Sequence, residues 1–440
     1  MIVEWLRYAR DFALVLAPLV VVHELGHFLV AKLLGVGVPV FSLGFGPRLL
    51  GFRRGGTDYR LSLVPLGGYV RLAGDESDDE RRGAPEEFLS RPSWQRLVVF
   101  LAGPAFNVAL AVLVMWAYFA VLGKLEVPYT VVYRVEPGSA AERAGVERGD
   151  KLLAIAGHAV EDARSFQYRY NLEIALAPGT QKTVTLERDG RRFDVTLDIA
   201  ADAKHGVGDP GWSIGRGGSE PPVVERVLPG GAAEEAGLRA GDRILGAGDK
   251  RPITGLELQL ALERSVGQQI GLAVERAGRT LELPVRPRPS QEGRTIGIDF
   301  VAAPPEPIRL GVAAAAREAL DWCLDSSKTL FVVLKRLVSG ELSLRTMSGP
   351  VGIAQVAREA LVLGLASYLY LLAFFSLQLG ILNLLPIPIL DGGHILIVIV
   401  EAVMRRSLSD RVKERVMQAG LVFLLAFMGI IIVLDVGKLL

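Results

Sequence analysis

Four long stretches of this sequence carry almost no charge, and they limit the possible folds more than any other feature. They cover about residues 12–34, 97–122, 361–385 and 416–434. A helix that crosses the hydrocarbon core of a bilayer needs about 20 mainly apolar residues. The second and third stretches are too long for buried helices of a soluble protein. We therefore predict a polytopic α-helical membrane protein with four transmembrane helices in contact with the lipid bilayer.

Composition excludes several other classes of protein. Half of the residues are hydrophobic, which excludes a disordered chain. The formal net charge of +1 lacks the basic excess of a nucleic-acid-binding protein, so we expect no nucleic acid as a partner. Cys323 is the single cysteine, and it can form neither an intramolecular disulfide nor a multi-thiolate metal site.

The first apolar stretch contains the sequence His23-Glu24-Leu25-Gly26-His27, called the HELGH motif below. Histidines at positions i and i+4 share one helix face and can bind one metal ion, while the adjacent glutamate can act as a general base toward water. The alternative to a metal site is a chance match to this short motif. Ionisable side chains inside a membrane span are rare and usually functional. We therefore predict a Zn²⁺ site with His23 and His27 as ligands and Glu24 as the catalytic base.

Loop charges predict the orientation of the chain and a third ligand. Lysine and arginine are concentrated in residues 31–96 and 403–415, which the positive-inside rule places in the cytoplasm. Both termini and the central region then face outward, and the first and third spans both run inward. The HELGH motif and the segment from Asn383 to His394 would therefore lie at a similar depth near the cytoplasmic side. Asp391 in this segment is the expected third ligand, which leaves a fourth position for water. His394 is the alternative.

The central region contains an internal duplication. Residues 135–150 and 227–242 both read as a strand, a Pro-Gly turn, a short Ala-Glu-x-Ala helix and a Gly-Asp turn. The pattern resembles PDZ domains, whose grooves accept an extended peptide as an added strand. A spacer or size filter with an empty groove is the alternative. The candidate groove residues are Ile214, Gly215, Ile296 and Gly297.

Taken in order, the HELGH motif, two PDZ-like repeats and the sequence NLLPIPILDGGH resemble the site-2 protease family of intramembrane zinc metalloproteases over nearly the whole chain. Further matching segments are residues 42–47, 64–71, 103–107 and 348–353. The resemblance implies that His23 and His27 bind zinc, that Glu24 is the base and that Asp391 completes the ligand set.

The resemblance also suggests which residues handle the substrate. Residues 37–72 alternate apolar and polar side chains around a Gly-Gly turn, which predicts a β-hairpin between the first two spans. The family has a membrane-re-entrant β element here, whose edge could pair with an unwound substrate. An ordinary cytoplasmic hairpin is the alternative. The substrate-handling candidates are Gly67, Gly68, Tyr69, Asn107 and Asn383.

These patterns predict five parts of the chain. Residues 1–126 and 361–440 form the membrane catalytic part, residues 127–218 and 219–303 form two extracytoplasmic PDZ-like α+β domains, and residues 304–360 form an amphipathic connector on the outer membrane surface. The whole chain is expected in a bacterial cytoplasmic membrane.

The resemblance implies regulated intramembrane proteolysis of single-span membrane proteins. The expected partners are transmembrane helix substrates, either an anti-sigma factor after site-1 cleavage or remnant signal peptides, together with peptide ligands of the PDZ-like domains. A protease that processes pheromones or sporulation factors is an alternative, and the tandem repeats argue against it. A membrane-anchored PDZ scaffold with a relict metal site is another alternative, and the intact set of zinc-site residues argues against it.

Overall fold

A computed structural model describes residues 2–74, 83–124, 129–161, 163–202, 206–217, 221–227, 230–288, 298–301 and 307–437. The chain divides into two compact units. The first unit comprises Met1–Gly123, Arg309–Leu334 and Ser343–Leu440. The second unit comprises Lys124–Ile308 and Lys335–Leu342.

The helices, in chain order, are α1 (Ile2–Leu33), α2 (Ser93–Leu122), α3 (Ala140–Arg143), α4 (Ala163–Tyr170), α5 (Ala232–Glu235), α6 (Gly255–Arg264), α7 (Val312–Val338), α8 (Pro350–Leu363), α9 (Leu365–Asn383), α10 (Asp391–Met404) and α11 (Asp410–Gly437). The strands are β1 (Val40–Arg54), β2 (Thr57–Arg71), β3 (Tyr129–Val135), β4 (Lys151–Ile155), β5 (His158–Ala159), β6 (Thr180–Arg188), β7 (Arg191–Ala201), β8 (Gly208–Asp209), β9 (Trp212–Gly217), β10 (Val223–Val227), β11 (Arg243–Ala247), β12 (Ile270–Arg276), β13 (Arg279–Val285) and β14 (Ile298–Val301).

Four helices of the described chain are long and apolar enough to cross a membrane. They are α1 over Arg10–Leu33, α2, α9 and α11 over Asp410–Asp435. These helices correspond to the four stretches found in the sequence, with one difference. The third stretch is broken at Gly364, whose φ of +104° lies in a region that favours glycine. Residues 361–363 therefore belong to α8, and the third span is α9 alone.

The amphipathic segment predicted as a membrane-surface connector contains α7, and protein covers one part of its apolar side chains while others, such as Phe331, are exposed. Small and aromatic side chains of α7 pack with residues of α2 and α9 in one buried cluster, formed by Ala315, Ala319, Trp322, Cys323, Ala111, Met115, Phe119, Ala373 and Leu377. The indole nitrogen of Trp322 also donates to the Tyr370 hydroxyl at 3.0 Å. This part of α7 belongs to the helix bundle, and its position relative to a membrane surface stays a prediction.

Strands β1 and β2 form the hairpin that the sequence predicts, and both strands bend. Residues 40–43 pair with residues 68–71 on one side and with residues 58–61 on the other, whereas residues 48–54 pair with residues 57–62. The hairpin is therefore a sheet of four short segments. Its two glycines at the turn have positive φ values, as a tight hairpin turn requires. Residues 68–71 form one edge of this sheet.

The second unit contains two sheets that follow from the duplicated sequence. The first sheet has the order β8-β7-β6-β4-β3-β9, with β5 paired to β4, and the second has the order β13-β12-β11-β10-β14. When the duplicated segments are matched, β7-β6-β4-β3-β9 corresponds to the whole second sheet. Each sheet packs on its own hydrophobic core. Strands β9 and β14 lie at equivalent sheet edges.

The same buried ion pair occurs in both sheets at the repeated Gly-Asp turn. Asp150 accepts hydrogen bonds from the Arg188 guanidinium at 2.7 and 2.8 Å. Asp242 accepts equivalent bonds from Arg276 at 2.7 and 2.6 Å. Each carboxylate also accepts the backbone N–H three residues earlier in the turn. In both sheets the carboxylate therefore ties the Gly-Asp turn to a later strand.

Candidate metal centre

Three predicted metal ligands meet in the first unit. His23 and His27 lie one turn apart on α1, and Asp391 is the first residue of α10. The His23 Nε2 atom is 3.1 Å from one carboxylate oxygen of Asp391, and the His27 Nε2 atom is 3.3 Å from the other. The two Nε2 atoms are 3.2 Å apart. Among the residues that the structure describes, this is the only group of three side chains with metal-ligand atoms this close together.

The donor set fits zinc. Two imidazole nitrogens and one carboxylate oxygen are ligands that zinc prefers, and three protein ligands leave one position of a tetrahedral catalytic site open. Tetrahedral bonds of about 2.0–2.1 Å place two ligand atoms about 3.3 Å apart. The separations between Nε2 and carboxylate atoms are close to this value, so the side chains need little movement to hold the ion.

Helix α2 shapes the site from one side. Gly103 faces both rings, and a Cβ atom there would lie 2.7 Å from Cε1 of His27 and 2.8 Å from Cε1 of His23. The Nδ1 atom of His27 donates to the Val99 carbonyl at 2.8 Å, which directs its Nε2 atom toward Asp391. The Asn107 amide lies 3.3 Å from Nδ1 of His23. Val99, Gly103 and Asn107 are spaced by four residues and therefore share one face of α2.

Gly103 belongs to the matching segment 103–107, but its position against the histidine rings and the Val99 hydrogen bond did not follow from the sequence. The sequence contained one signal, a glycine and an asparagine four residues apart in an otherwise apolar span. Gly26 inside the HELGH motif has a related role, because a Cβ atom there would lie 2.5 Å from the Ala102 carbonyl oxygen. Glycine on both helices therefore allows α1 and α2 to approach closely at the motif.

The glycines after Asp391 position that carboxylate. The loop between α9 and α10 folds back onto the first turn of α10. A Cβ atom on Gly393 would lie 2.5 Å from the Ile387 carbonyl oxygen, and one on Gly392 would overlap the Leu385 carbonyl. Only glycine leaves room for this loop, so the Asp-Gly-Gly sequence allows Asp391 to start the helix beside the histidines.

Glu401 anchors the other end of α10. Its buried carboxylate lies 3.1 Å from the Arg96 guanidinium on α2 and 2.7 Å from the Lys413 ammonium on α11. It also accepts the backbone N–H of Leu408 at 3.0 Å. Two cations and one N–H therefore compensate the buried charge and hold α10 against α2 and α11.

Glu24, the predicted base, lies against the edge of the hairpin sheet. A Cβ atom on Gly68 would lie 3.0 Å from Cγ of Glu24 and 2.9 Å from the Ser42 carbonyl oxygen. The backbone of residues 68–71 can approach the base this closely because Gly68 has no side chain.

The structure distributes the substrate-handling candidates over several places. Gly67 has a φ of +107°, and the Tyr69 ring stacks on Phe45 with centroids 6.1 Å apart. Asn383 is the last residue of α9 and is half-buried. Asn107 is fully buried beside His23. Of this set, Gly68 lies beside the Glu24 side chain and Asn107 lies beside the His23 ring.

The remaining candidates lie elsewhere. His394, the alternative ligand, is outside the three-residue group, and its ring stacks on Phe100 with centroids 4.8 Å apart. Ile214 and Gly215 lie on the edge strand β9. Ile296 and Gly297 fall outside the described residues.

Comparisons with known proteins identify the family. The family model "Peptidase family M50" matches residues 11–427. The regulator of sigma-E protease RseP from Escherichia coli is 34% identical over 98% of each chain. A protein of Neisseria meningitidis that carries the name of a zinc metalloprotease is 35% identical over 98% of each chain. A solved PDZ domain of an SdrC-like protein from Listeria monocytogenes is 17% identical, covers 20% of this chain and 87% of its own, and has a TM-score of 0.18, too low to assign a fold. The chain therefore belongs to peptidase family M50, the site-2 protease family, and is a zinc metalloprotease.

Proposed function

We propose that this protein is an intramembrane endopeptidase that cleaves the transmembrane helices of single-span membrane proteins. The observation that carries the proposal is the meeting of His23 and His27 with Asp391 at the start of α10. His23, His27 and the adjacent Glu24 lie on α1, a helix long and apolar enough to cross a membrane. Ionisable groups inside such helices are unfavourable unless they serve a function.

The mechanism assigns one task to each polar group. His23, His27 and Asp391 would hold the ion. When bound, zinc supplies Lewis-acid chemistry, which lowers the pKa of water toward neutrality and stabilises negative charge on the scissile carbonyl oxygen. A carboxylate oxygen of Glu24 takes the proton from the attacking water and passes it to the leaving nitrogen.

The edge of the hairpin sheet offers partners for the substrate backbone. A helical substrate must unwind locally before its carbonyl can be attacked, and in lipid every freed N–H and C=O group needs a new partner. Residues 68–71 pair with residues 40–43 on one side and run beside Glu24 at Gly68. In this proposal the unwound substrate adds as a strand along this edge. The amide of Asn383, which can both donate and accept, supplies a further partner.

The substrate class and the location complete the proposal. The Escherichia coli relative is named for regulation of sigma-E, and the corresponding substrates here are an anti-sigma factor after site-1 cleavage and remnant signal peptides. The location is a bacterial cytoplasmic membrane, with both termini and the second unit on the outer side and the zinc site toward the cytoplasm. The basic loops at residues 31–96 and 403–415 support this orientation.

The second unit consists, in this proposal, of two PDZ-like domains, residues 127–218 and 219–303. Its edge strands β9 and β14 are suited to adding a peptide strand. Peptide capture and filtering by size are distinguished by one transmembrane substrate made with a short and a long outer tail. A filter predicts that only the short form is cut and that deletion of both domains restores cleavage of the long form, whereas capture predicts that the deletion removes cleavage.

The proposal is tested by replacing Glu24 with glutamine. The full chain and its Glu24→Gln variant are reconstituted into vesicles with a tagged single-span substrate, and mass spectrometry locates the cut. The variant should lose cleavage but keep zinc, because both histidines remain while the amide cannot take the proton. The matched control is Glu359→Gln, on an exposed position of α8. Wild-type turnover by Glu24→Gln, or cleavage outside the transmembrane segment, would refute the proposal.

A further inference from the structure

We propose that Asn107 is a positioning residue whose side-chain oxygen holds the His23 imidazole, and not a residue that handles substrate. This inference rests on the proposed role of His23 as a zinc ligand. It concerns the contact made by Nδ1 of His23, the ring nitrogen that faces away from Asp391.

Asn107 is placed for contact with His23 and not with a substrate. Its side chain is fully buried, with 0% exposure. Its amide nitrogen lies 3.3 Å from Nδ1 of His23, and its amide oxygen is buried without a hydrogen-bond partner among the described residues. A buried oxygen without a partner is unfavourable. One atom of the amide faces His23 and the other has no partner among the described residues in either orientation, so the ring proton of His23 decides which atom faces it.

The protonation of His23 identifies the partner of that oxygen. The Nε2 atom of His23 faces Asp391 and His27, so it is the ligand atom. A neutral imidazole that binds metal through Nε2 carries its proton on Nδ1. An amide nitrogen opposite that proton would place two donors face to face. Because the oxygen and nitrogen of an amide are distinguished only by their hydrogen bonds, half a turn of the Asn107 amide is allowed, and its oxygen then accepts the Nδ1 proton.

The second histidine shows the same arrangement with a different acceptor. The Val99 carbonyl accepts the Nδ1 proton of His27 at 2.8 Å. Val99 and Asn107 lie four residues before and after Gly103. Helix α2 therefore presents one acceptor to each ring, and Gly103 between them leaves room for both rings. Acceptors behind a metal-binding histidine fix its tautomer and its orientation.

Helix α9 holds Asn107 in turn. The hydroxyl of Ser376, itself fully buried, donates to the Asn107 backbone carbonyl at 2.7 Å. This bond joins α9 to α2 at the residue that orients His23. A side chain enclosed in this way cannot reach a peptide substrate without movement of the helices.

The test compares two replacements of Asn107 that differ in one property. Aspartate can accept the Nδ1 proton but cannot donate, whereas leucine of similar size can do neither. The full chain is purified in detergent, loaded with zinc, and mixed with a chelator that reports zinc release. Asn107→Leu should release zinc about 10–100-fold faster than wild type. Asn107→Asp should stay within about threefold of wild type, because a carboxylate can act as the acceptor behind a zinc-binding histidine.

Controls separate this role from a loss of folding. Met115→Ala removes an equally buried side chain from the same face of α2, two turns away, and should leave zinc release unchanged. Thermal melting of the metal-free variants reports the structural damage. If Asn107→Leu does not accumulate, Asn107→Ala takes its place, and we expect it to release zinc at the same increased rate.

Two results would overturn the inference. Zinc release from Asn107→Asp as fast as from Asn107→Leu would show that the amide donates. Wild-type zinc release from Asn107→Leu with a raised KM would return Asn107 to substrate handling. His23→Ala in the same assay tests the proposed function separately, since wild-type zinc release from that variant would mean that His23 is not a ligand.

Discussion

Replacement of Gly103 by alanine should disable the zinc site through a single methyl group. The new Cβ atom would lie 2.7 Å and 2.8 Å from the Cε1 atoms of His27 and His23, and nearer still to Nε2 of His27, whereas ordinary contacts begin at 3.4 Å. At least one ring must therefore move by roughly 1 Å, a displacement that can reduce a rate by about 100-fold. Since the ring cannot move without its ligand atom, we expect turnover to fall by about 100-fold and zinc release to accelerate.

The assay measures zinc per protein chain, zinc release to a chelator, and turnover on the same preparation. Gly429→Ala is the matched control on α11, because a Cβ atom there meets nothing within 4 Å. Gly26→Ala is a second comparison, because its Cβ atom would press on the Ala102 carbonyl and not on a histidine ring. Wild-type zinc occupancy and turnover in Gly103→Ala would refute the reasoning about this face of α2.

Two further predictions concern hydrogen bonds far from the zinc ligands. Pro18 has no N–H for the Leu14 carbonyl, and the Tyr368 hydroxyl donates to that carbonyl at 3.0 Å. Tyr368→Phe should therefore destabilise the fold by about 0.5–1.5 kcal/mol, and an unchanged melting temperature would contradict this. Burial raises the pKa of Asp242, but the Arg276 guanidinium outweighs it and holds that pKa below its usual range. A lowered folded pKa means that the pair stabilises the protein at neutral pH and that this stabilisation is lost as pH falls through the folded pKa. Arg276→Met should therefore lower the melting temperature at neutral pH, by a difference from wild type that shrinks below about pH 4, and a pH-independent difference would contradict the assignment.

The features that the sequence predicts are those set by local pattern. Long stretches with almost no charge identify the four helices, and a Gly-Gly pair between alternating residues identifies the hairpin turn. The i, i+4 spacing of His23 and His27 places both rings on one face of any helix that contains them. The orientation rule also made Asp391 a reasonable partner, because it set the depth of two distant segments. In each case the deciding information lies within a few residues, or in the charge of a whole loop.

The features that the sequence does not predict depend on how separate elements face each other. Gly103 and Asn107 have clear roles only once the rotation of α2 against α1 is known, and no local pattern contains that angle. The amphipathic pattern of α7 suits a membrane surface and a protein neighbour equally well, and it does not show that the bundle buries the part around Trp322. The break at Gly364 also escaped prediction, because one glycine in an apolar run is compatible with a continuous helix.

The most direct test of the central claim is X-ray absorption spectroscopy of zinc bound to the full chain, combined with elemental analysis of Asp391→Ala. The claim is that α1 and α10 together hold one zinc ion through His23, His27 and Asp391. In wild type we expect zinc to be surrounded by two imidazole nitrogens and by oxygen ligands, all at about 2.0–2.2 Å. Asp391→Ala should lose most of its zinc to a chelator that leaves the wild type loaded. Full zinc occupancy in Asp391→Ala, or a third imidazole in the wild-type spectrum, would contradict the claim and point to a ligand such as His394.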